Sequence, residues 1–162
     1  RSVGLWGSSP DADGRDHDDV RAIVNNAGIA RARTLAFYTH AFDALGDAAS
    51  EVADRFDHPV TVNPKLGPHS DHWPYVQWGV PGYHVMSETD GEGRGWGHTR
   101  ADTLDKLEPR NLREQAILIA ELVVHLASED VAVEHRDPEE IAEQLEDEDL
   151  AESMQITGDW PY

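Results

Sequence analysis

Short runs of β-forming apolar residues alternate along this chain with longer segments whose apolar residues recur every three or four positions, and this alternation constrains the fold most. The short runs predict buried strands, and the longer segments predict helices that pack one face against a core. Strands that alternate with helices indicate an α/β domain. The predicted strands are 21–25, 34–39, 60–62 and 83–86, and the predicted helices are 41–56, 71–78 and 111–127.

The composition shifts after residue 130, where carboxylates dominate the chain. The sizeable apolar anchors there are Ile141, Leu145 and Leu150. We therefore predict two parts. Residues 1–130 form the α/β domain, and residues 131–162 form an acidic C-terminal extension, with a short amphipathic helix docked on the surface and a loose tail. Trp160 and Tyr162, at the end of the tail, are aromatic residues able to dock on the domain.

The chain is strongly acidic, with 13 Lys and Arg residues against 32 Asp and Glu residues and a formal net charge of −19. This charge repels the phosphates of nucleic acids and anionic lipids, so we expect neither nucleic acid nor membrane as a partner. An acidic chain with only two lysines, Lys65 and Lys106, is typical of adaptation to molar salt, although an ordinary acidic protein has the same charge balance. No run of 18 apolar residues suggests a membrane span, and without a visible signal peptide the expected location is cytoplasmic.

If the composition reflects adaptation to salt, the free energy of unfolding should rise as KCl is raised from low to multimolar concentration. At about 1 M salt the Debye length is roughly 3 Å, so neighbouring carboxylates hardly repel each other. Denaturant unfolding at a series of KCl concentrations measures this dependence. A free energy of unfolding that falls steadily with added KCl would contradict the adaptation.

Because the chain has no cysteine, any metal site must use His, Asp or Glu. Two segments combine histidine with carboxylates, residues 69–72 (HSDH) and residues 97–107 (GHTRADTLDKL). The spacing of His98 and Asp102 permits a metal ligand and a nearby carboxylate that orients it. Asp102 is equally able to cap the turn that follows, and the pattern alone favours capping.

The order of these segments resembles that of metallopeptidase family twenty-eight, the zinc exopeptidases that include secreted leucine aminopeptidases and glutamate carboxypeptidase-like proteins. The histidine of the HTRADT segment follows that of the SDH segment by 26 positions, and the resemblance covers about residues 3–127. The segments that carry it are 3–8 (VGLWGS), 24–26 (VNN), 70–72 (SDH), 79–81 (GVP) and 98–107 (HTRADTLDKL).

The resemblance implies the C-terminal part of a phosphorylase/hydrolase-like fold, with a mixed central sheet flanked by helices. It also implies a peptide substrate, cleaved with the help of two zinc ions that share a water. His98 matches the last metal-binding histidine of the family. The residues matched to the wall of the site or to the support of its ligand loop are Ser70, Asp71, His72, Asp102 and Thr103.

The other metal-binding and catalytic residues of the family have no counterpart. The resemblance places a Glu-Glu pair, general base and ligand, at Arg1 and Ser2, and a ligand aspartate at Ala27. The remaining two ligands fall upstream. Gly97 also stands where many relatives have a tyrosine that stabilises the oxyanion. We therefore predict no catalytic residue, and neither tight binding of two zinc ions nor peptide hydrolysis by the chain alone.

Three interpretations remain open at this point. The chain is part of an enzyme whose N-terminal half is missing, a non-catalytic relative that serves as a binding or oligomerisation module, or an unrelated α/β domain. Ala27 favours the second, since truncation alone would leave an aspartate there, although an engineered change of that aspartate to alanine explains it equally well. Half of a fold would expose a sheet edge, and we expect a homo-oligomer or the missing half to cover it. Other histidines able to join an adventitious metal site are His69, His72 and His84.

Overall fold

The structure, a computed structural model, describes residues 5, 7–89, 96–128 and 130–162. Its centre is a four-stranded sheet in the order β1-β4-β2-β3. β1 and β4 are parallel, β4 and β2 are antiparallel, and β2 and β3 are parallel, which confirms the mixed sheet and the four predicted strands. The strands are Ile23–Asn26 (β1), Leu35–Tyr38 (β2), Val60–Asn63 (β3) and Gly82–Ser87 (β4).

Helix α2 (Asp43–Arg55) connects the parallel strands β2 and β3 and packs its apolar side into the core. The helix begins two residues later than predicted, because His40 and Ala41 have left-handed backbone angles, with φ of 53° and 58°. This turn directly follows β2 and leaves the His40 side chain fully buried. The buried residues of α2 are Leu45, Ala48, Ala49, Val52 and Ala53.

Helix α4 (Pro109–Ala127) packs against α2 and is tied to the segments on either side of β1. Near the end of the helix, the guanidinium of Arg21, which precedes β1, donates to the Leu126 carbonyl at 2.6 Å. Nearer the start of the helix, the Gln115 side-chain oxygen accepts from the N–H of Ala30, which follows β1, at 2.7 Å. These two contacts fix the helix relative to the segments that flank the strand.

Two further helices differ from prediction at their ends. α4 starts two residues early, because Pro109 suits the first turn of a helix and the Glu108 carboxylate accepts from the Arg110 N–H at 3.1 Å. α3 (Trp73–Val76) is shorter than predicted and ends in a turn at Gly79, whose φ is 91°. Within the described ranges, the structure contains no helix of the length and hydrophobicity needed to cross a membrane.

A short helix that the sequence did not predict, α1 (Ser8–Asp13), packs against α3. The Tyr75 hydroxyl of α3 donates to the Asp11 carboxylate, which also binds Arg15. Ala12, Tyr75 and Val80 are buried together as a small second core.

The C-terminal extension contains two helices, α5 (Pro138–Asp147) and α6 (Ala151–Thr157). The predicted amphipathic helix corresponds to α5, and its anchors Ile141 and Leu145 are fully buried. The predicted loose tail is instead α6, because Met154 gives this segment an apolar residue that is 2% exposed. All three side chains belong to the main core, together with residues of the sheet and of α4. The division of the chain at residue 130 stays a prediction.

Polar contacts also fasten the extension to the domain. Arg136 donates from its guanidinium to the His40 carbonyl at 2.7 Å and from its N–H to the Gly79 carbonyl at 3.0 Å. At the chain end, the Tyr162 hydroxyl donates to the Gln77 carbonyl. The extension thus contacts the turn after β2 and the turn before β4.

Candidate functional site

His98, the residue matched to a metal ligand, lies in an exposed turn with a φ of 65°. Its N–H donates to the Asp102 carboxylate at 3.3 Å, and the Thr99 hydroxyl donates to the Trp96 carbonyl at 2.6 Å. Asp102 therefore binds the backbone of the turn. The Thr103 hydroxyl donates to the carboxylate of Asp105.

Two other positions matched to functional residues are Arg1 and Ser2. Both lie outside the described residues.

Ala27 directly follows β1, at the end of the strand where the parallel strands β1 and β4 both terminate. Its N–H donates to the Val85 carbonyl at 2.9 Å, so the backbone there continues the β1–β4 ladder. Its side chain is a methyl group, which offers no lone pair to a metal ion.

The SDH segment is bound to β1 through Asn25. The Asn25 side-chain amide donates to the Ser70 hydroxyl at 2.8 Å and to Nδ1 of His72 at 3.1 Å. Because Nδ1 accepts, the ring proton of His72 is on Nε2, which donates to the Gly67 carbonyl at 2.9 Å. Both nitrogens of His72 are therefore engaged.

Asp71 points to a different neighbour. Its carboxylate accepts from the Ser8 hydroxyl at 2.9 Å, which ties the SDH segment to the start of α1. Ser70 and His72 thus bind the SDH segment to β1, and Asp71 binds it to α1. Each contact holds parts of the chain together.

Three histidines form a stack. The ring centroids of His40 and His72 are 4.7 Å apart with an interplanar angle of 9°, and those of His72 and His84 are 4.9 Å apart at 25°. His84 lies on β4 in register with Asn25, so the stack lies on the sheet face that carries the SDH segment. We call His40, His72 and His84 the histidine stack.

Burial keeps two members of the histidine stack neutral. Burial, with a further contribution from His84, lowers the pKa of His40 to about 3. Burial also lowers the pKa of His72 to about 2, reinforced by His40 and His84. Among the described residues, neither ring nitrogen of His40 has a partner with the geometry of a hydrogen bond, although the backbone of Lys65 lies close enough to act on the ring. Uncharged rings can stack closely in this way, whereas three imidazolium ions would repel each other.

The described residues do not fit a pair of zinc ions. A zinc site in a protein takes three or four protein ligands whose lone pairs converge on one point. Parallel stacked rings direct their nitrogens side by side, and His72 has no free nitrogen. Across the described ranges, no group of three or more His, Asp or Glu side chains is arranged to hold a metal ion. His98 stays the one matched ligand.

Two shallow clefts lie away from the predicted residues. One of about 490 Å³ is lined by Asp43 and Asp47 of α2, and one of about 280 Å³ is lined by Arg33 and His58. Their linings include none of the predicted site residues, so neither of these two clefts contains the candidate chemistry.

Residues 2–123 match the sequence profile of peptidase family M28. The chain belongs to this family. The histidine stack, the SDH segment and the Gly-His-Thr turn of this M28 member therefore stand on a peptidase scaffold, which agrees with the resemblance drawn from the sequence. The match ends within α4, so the C-terminal extension lies beyond it.

Solved structures support the same fold for this M28 chain. It is similar to the LapA aminopeptidase of Legionella pneumophila, with a TM-score of 0.65 and 21% identity, over 78% of this chain and 36% of that one. It is also similar to the aminopeptidase of Aneurinibacillus sp. strain AM-1, with a TM-score of 0.61 and 23% identity, over 83% and 33%. The chain thus spans about a third of the length of each. A comparison with curated proteins gives no match.

Sequence reasoning missed two residues of this region of the M28 chain. Asn25 belongs to the strand motif 24–26, and nothing in that motif indicates that it holds Ser70 and His72. His40 lies outside the two segments that combine histidine with carboxylates. Their positions in the sequence could have indicated both residues. Each is a polar residue in or shortly after a short apolar strand, and such residues tend to come together at the sheet.

Proposed function

We propose that this chain is a non-hydrolytic member of peptidase family M28, which on its own neither holds two zinc ions nor cleaves peptide bonds. The observation that carries the proposal is the methyl group of Ala27 at the end of β1, where the resemblance expects a metal-binding carboxylate. The donor set of the described residues supports it, because His98 lies on an exposed turn and the histidine stack does not converge on a point.

The chemistry of complete relatives is also a proposal for this lineage. Members of the family generally depend on zinc, and the two similar solved structures are aminopeptidases. This favours removal of the N-terminal residue of a peptide as the ancestral reaction. His98 would be the single contribution of the described residues to such a zinc pair, so no step of that reaction is assigned to this chain.

A role as a binding or assembly module has separate support. Within the described residues β1 has β4 as its single neighbour in the sheet, and α4 carries exposed apolar side chains such as Leu112 and Val123. Both features suit association with another polypeptide segment. The cytoplasmic location stays a prediction.

We expect the purified chain to release no nitroanilide from leucine p-nitroanilide above the zinc-only background, with zinc added up to millimolar concentration. The physical reason is that one imidazole cannot hold a co-catalytic pair. Elemental analysis after gel filtration should find less than one zinc per chain. His98→Ala is the control, and its progress curves should be indistinguishable from those of the unmodified chain. Turnover that requires zinc and is lost in His98→Ala would overturn the proposal.

A further inference from the structure

The C-terminal extension holds the two pieces of backbone that enclose the His40 ring. The first is the turn after β2, where the Arg136 guanidinium donates to the His40 carbonyl at 2.7 Å. The second is the loop after β3, where the Glu148 carboxylate accepts from the Leu66 N–H at 3.1 Å. Gly67 of that loop lies against the ring, since a Cβ at this glycine would be 3.7 Å from Cε1 of His40. The extension therefore fastens both the turn and the loop around one imidazole.

His40 is an end member of the histidine stack. Its ring centroid is 4.7 Å from that of His72, and its side chain is fully buried. Among the described residues, neither ring nitrogen has a partner with the geometry of a hydrogen bond. A neutral imidazole carries one N–H, whereas an imidazolium ion carries two that both need acceptors. Protonation would therefore add a second buried donor and a buried charge, and the enclosure stabilises neither.

The groups around this ring favour its neutral form. Burial lowers the pKa of His40 most, and His84 on β4 and Arg136 on the extension lower it further. The Lys65 backbone acts in the opposite direction and does not offset these effects. Like charge next to the ring thus comes from the extension as well as from the sheet.

Two carboxylates of the extension lie near this contact, and each has a partner of its own. Glu140 pairs with Arg136 at 3.7 Å. Glu148 accepts from the Gln144 amide at 2.7 Å as well as from the loop after β3. Neither is hydrogen-bonded to the His40 ring. A proton on that ring therefore gains no carboxylate partner while these contacts last.

We propose that the C-terminal extension is an acid-released cover, which detaches from the turn after β2 when His40 takes up a proton. In the docked state the imidazole is buried and the guanidinium of Arg136 lies at the same turn, so the charged ring is excluded. In the released state the turn and the loop open to water, and the ring can be charged. The extension follows all four strands in the chain, so its release leaves their order and pairing unchanged.

Two other histidines lie near the extension without being covered in this way. His72 is bonded to the Asn25 amide at 3.1 Å and to the Gly67 carbonyl at 2.9 Å, and neither partner belongs to the extension. His135 of the extension approaches the Asp18 carboxylate at 3.9 Å, away from the turn after β2. We therefore expect release to expose one buried imidazole, whereas global unfolding exposes those of both His40 and His72.

Release should become easier as the pH falls. The pKa of His40 is about 3 in the docked state, and in the released state the ring should titrate near its usual value of 6.5. Below pH 6.5 the released state binds more protons than the docked state, so docking is lost as the pH falls toward the lower pKa value. For a single histidine, the equilibrium constant for release should rise about 15-fold between pH 6.5 and pH 5.

Native-state hydrogen exchange of the full chain in constant molar KCl measures this constant, once each rate is corrected for its intrinsic dependence on pH. Two amides report on release, that of Arg136, which donates to the Gly79 carbonyl, and that of Leu66. The amide of Phe37, in the inner strand β2, reports on global unfolding. At pH 5 we expect the opening constants of Arg136 and Leu66 to exceed that of Phe37 by about tenfold or more.

His40→Asn tests the cause of the release. With no imidazole under the cover, the opening constants of Arg136 and Leu66 should change less than about threefold between pH 6.5 and pH 5. Asparagine tolerates the left-handed backbone at this position. His69→Asn is the matched control, because it removes an exposed imidazole from the loop after β3 and should keep the rise of about 15-fold. If His40→Asn fails to fold by circular dichroism, His40→Gln replaces it.

Equal opening constants for Arg136 and Phe37 would mean that the extension leaves only when the whole chain unfolds, and would overturn the proposal. A rise with acid that persists in the His40 variant, or that is lost equally in His69→Asn, would overturn it as well. Peptidase activity is not a readout, so the result is independent of the proposed function.

Discussion

Replacing Ile141 with alanine should lower the free energy of unfolding by about 3 kcal/mol, although the residue lies beyond the part of the chain that matches the family. Its side chain is fully buried in the main core, and truncation removes apolar contacts and leaves a cavity. Urea unfolding at one fixed KCl concentration measures the change through the midpoint and the slope.

Ile156→Ala provides the control for this experiment. Ile156 also lies in the C-terminal extension, but it is 77% exposed, so its truncation should change the free energy of unfolding by no more than about 0.5 kcal/mol. Equal, small effects at the two positions would mean that the extension does not share the core of the domain.

Acidification from pH 6.5 to pH 5 should lower the free energy of unfolding by roughly 2–4 kcal/mol. The pKa values of His40 and His72 are lowered by burial to about 3 and about 2, whereas in the unfolded chain these rings titrate near their usual value of 6.5. Below pH 6.5 the unfolded state binds more protons than the folded state, so stability is lost as the pH falls toward the folded pKa values. Each histidine contributes about 1.4 kcal/mol per pH unit.

Hydrogen bonding adds a reason specific to His72. A proton on its Nδ1 would face the Asn25 amide, which is itself a donor, so the charged ring would lose that bond. Chemical unfolding at several pH values in constant molar KCl gives the slope. The range ends at pH 5 because protonation of carboxylates at lower pH relieves the repulsion of this acidic chain and acts in the opposite direction.

His40→Asn should reduce that slope by up to about half, since it removes one of the two buried rings of the histidine stack and asparagine tolerates a left-handed backbone. Burial also lowers the pKa of His58, which keeps its share of the slope in this variant. His69→Asn is the control, because it removes an exposed imidazole from the loop that carries His72. A slope that stays the same in His40→Asn, or that falls equally in both variants, would show that the histidine stack does not cause the dependence on pH.

Local pattern was sufficient for most of the sheet and for the long helices. The runs around Leu35, Val60 and Tyr83 are short and apolar, and each is a strand. The apolar spacing of 41–56 and 111–127 produced two helices that pack against the sheet as expected. The ends of these helices differ from the predicted ends for local reasons that apolar periodicity does not indicate. These are the left-handed turn at His40 and the capping of α4 by Glu108.

Composition was a poor guide to the C-terminal extension. Carboxylates at most positions suggested a solvated tail, whereas single apolar residues such as Met154 are enough to dock a short helix when the domain supplies the rest of the pocket. Apolar periodicity also could not predict the order of the strands in the sheet, since the neighbours of β4 are far from it in sequence.

For the candidate site, sequence reasoning located the segments but not their contacts. His98 and Asp102 are close because they are four positions apart in the chain, and local spacing predicts such a contact. The bond from Asn25 to His72 joins residues 47 positions apart, and the contact of His40 with His72 depends on the turn after β2. Contacts between residues so far apart in the chain follow from the tertiary fold. The sequence of a single segment does not predict them.

The bonds from Asn25 to Ser70 and His72 separate the fold from the position matched to a metal ligand. They join the end of β1 to the SDH segment without using the side chain at position 27, so these contacts do not require a carboxylate there. A substitution at position 27 can therefore alter what the chain binds while the contacts that hold the segment stay intact. Restoring a carboxylate at this position should cost the scaffold little stability.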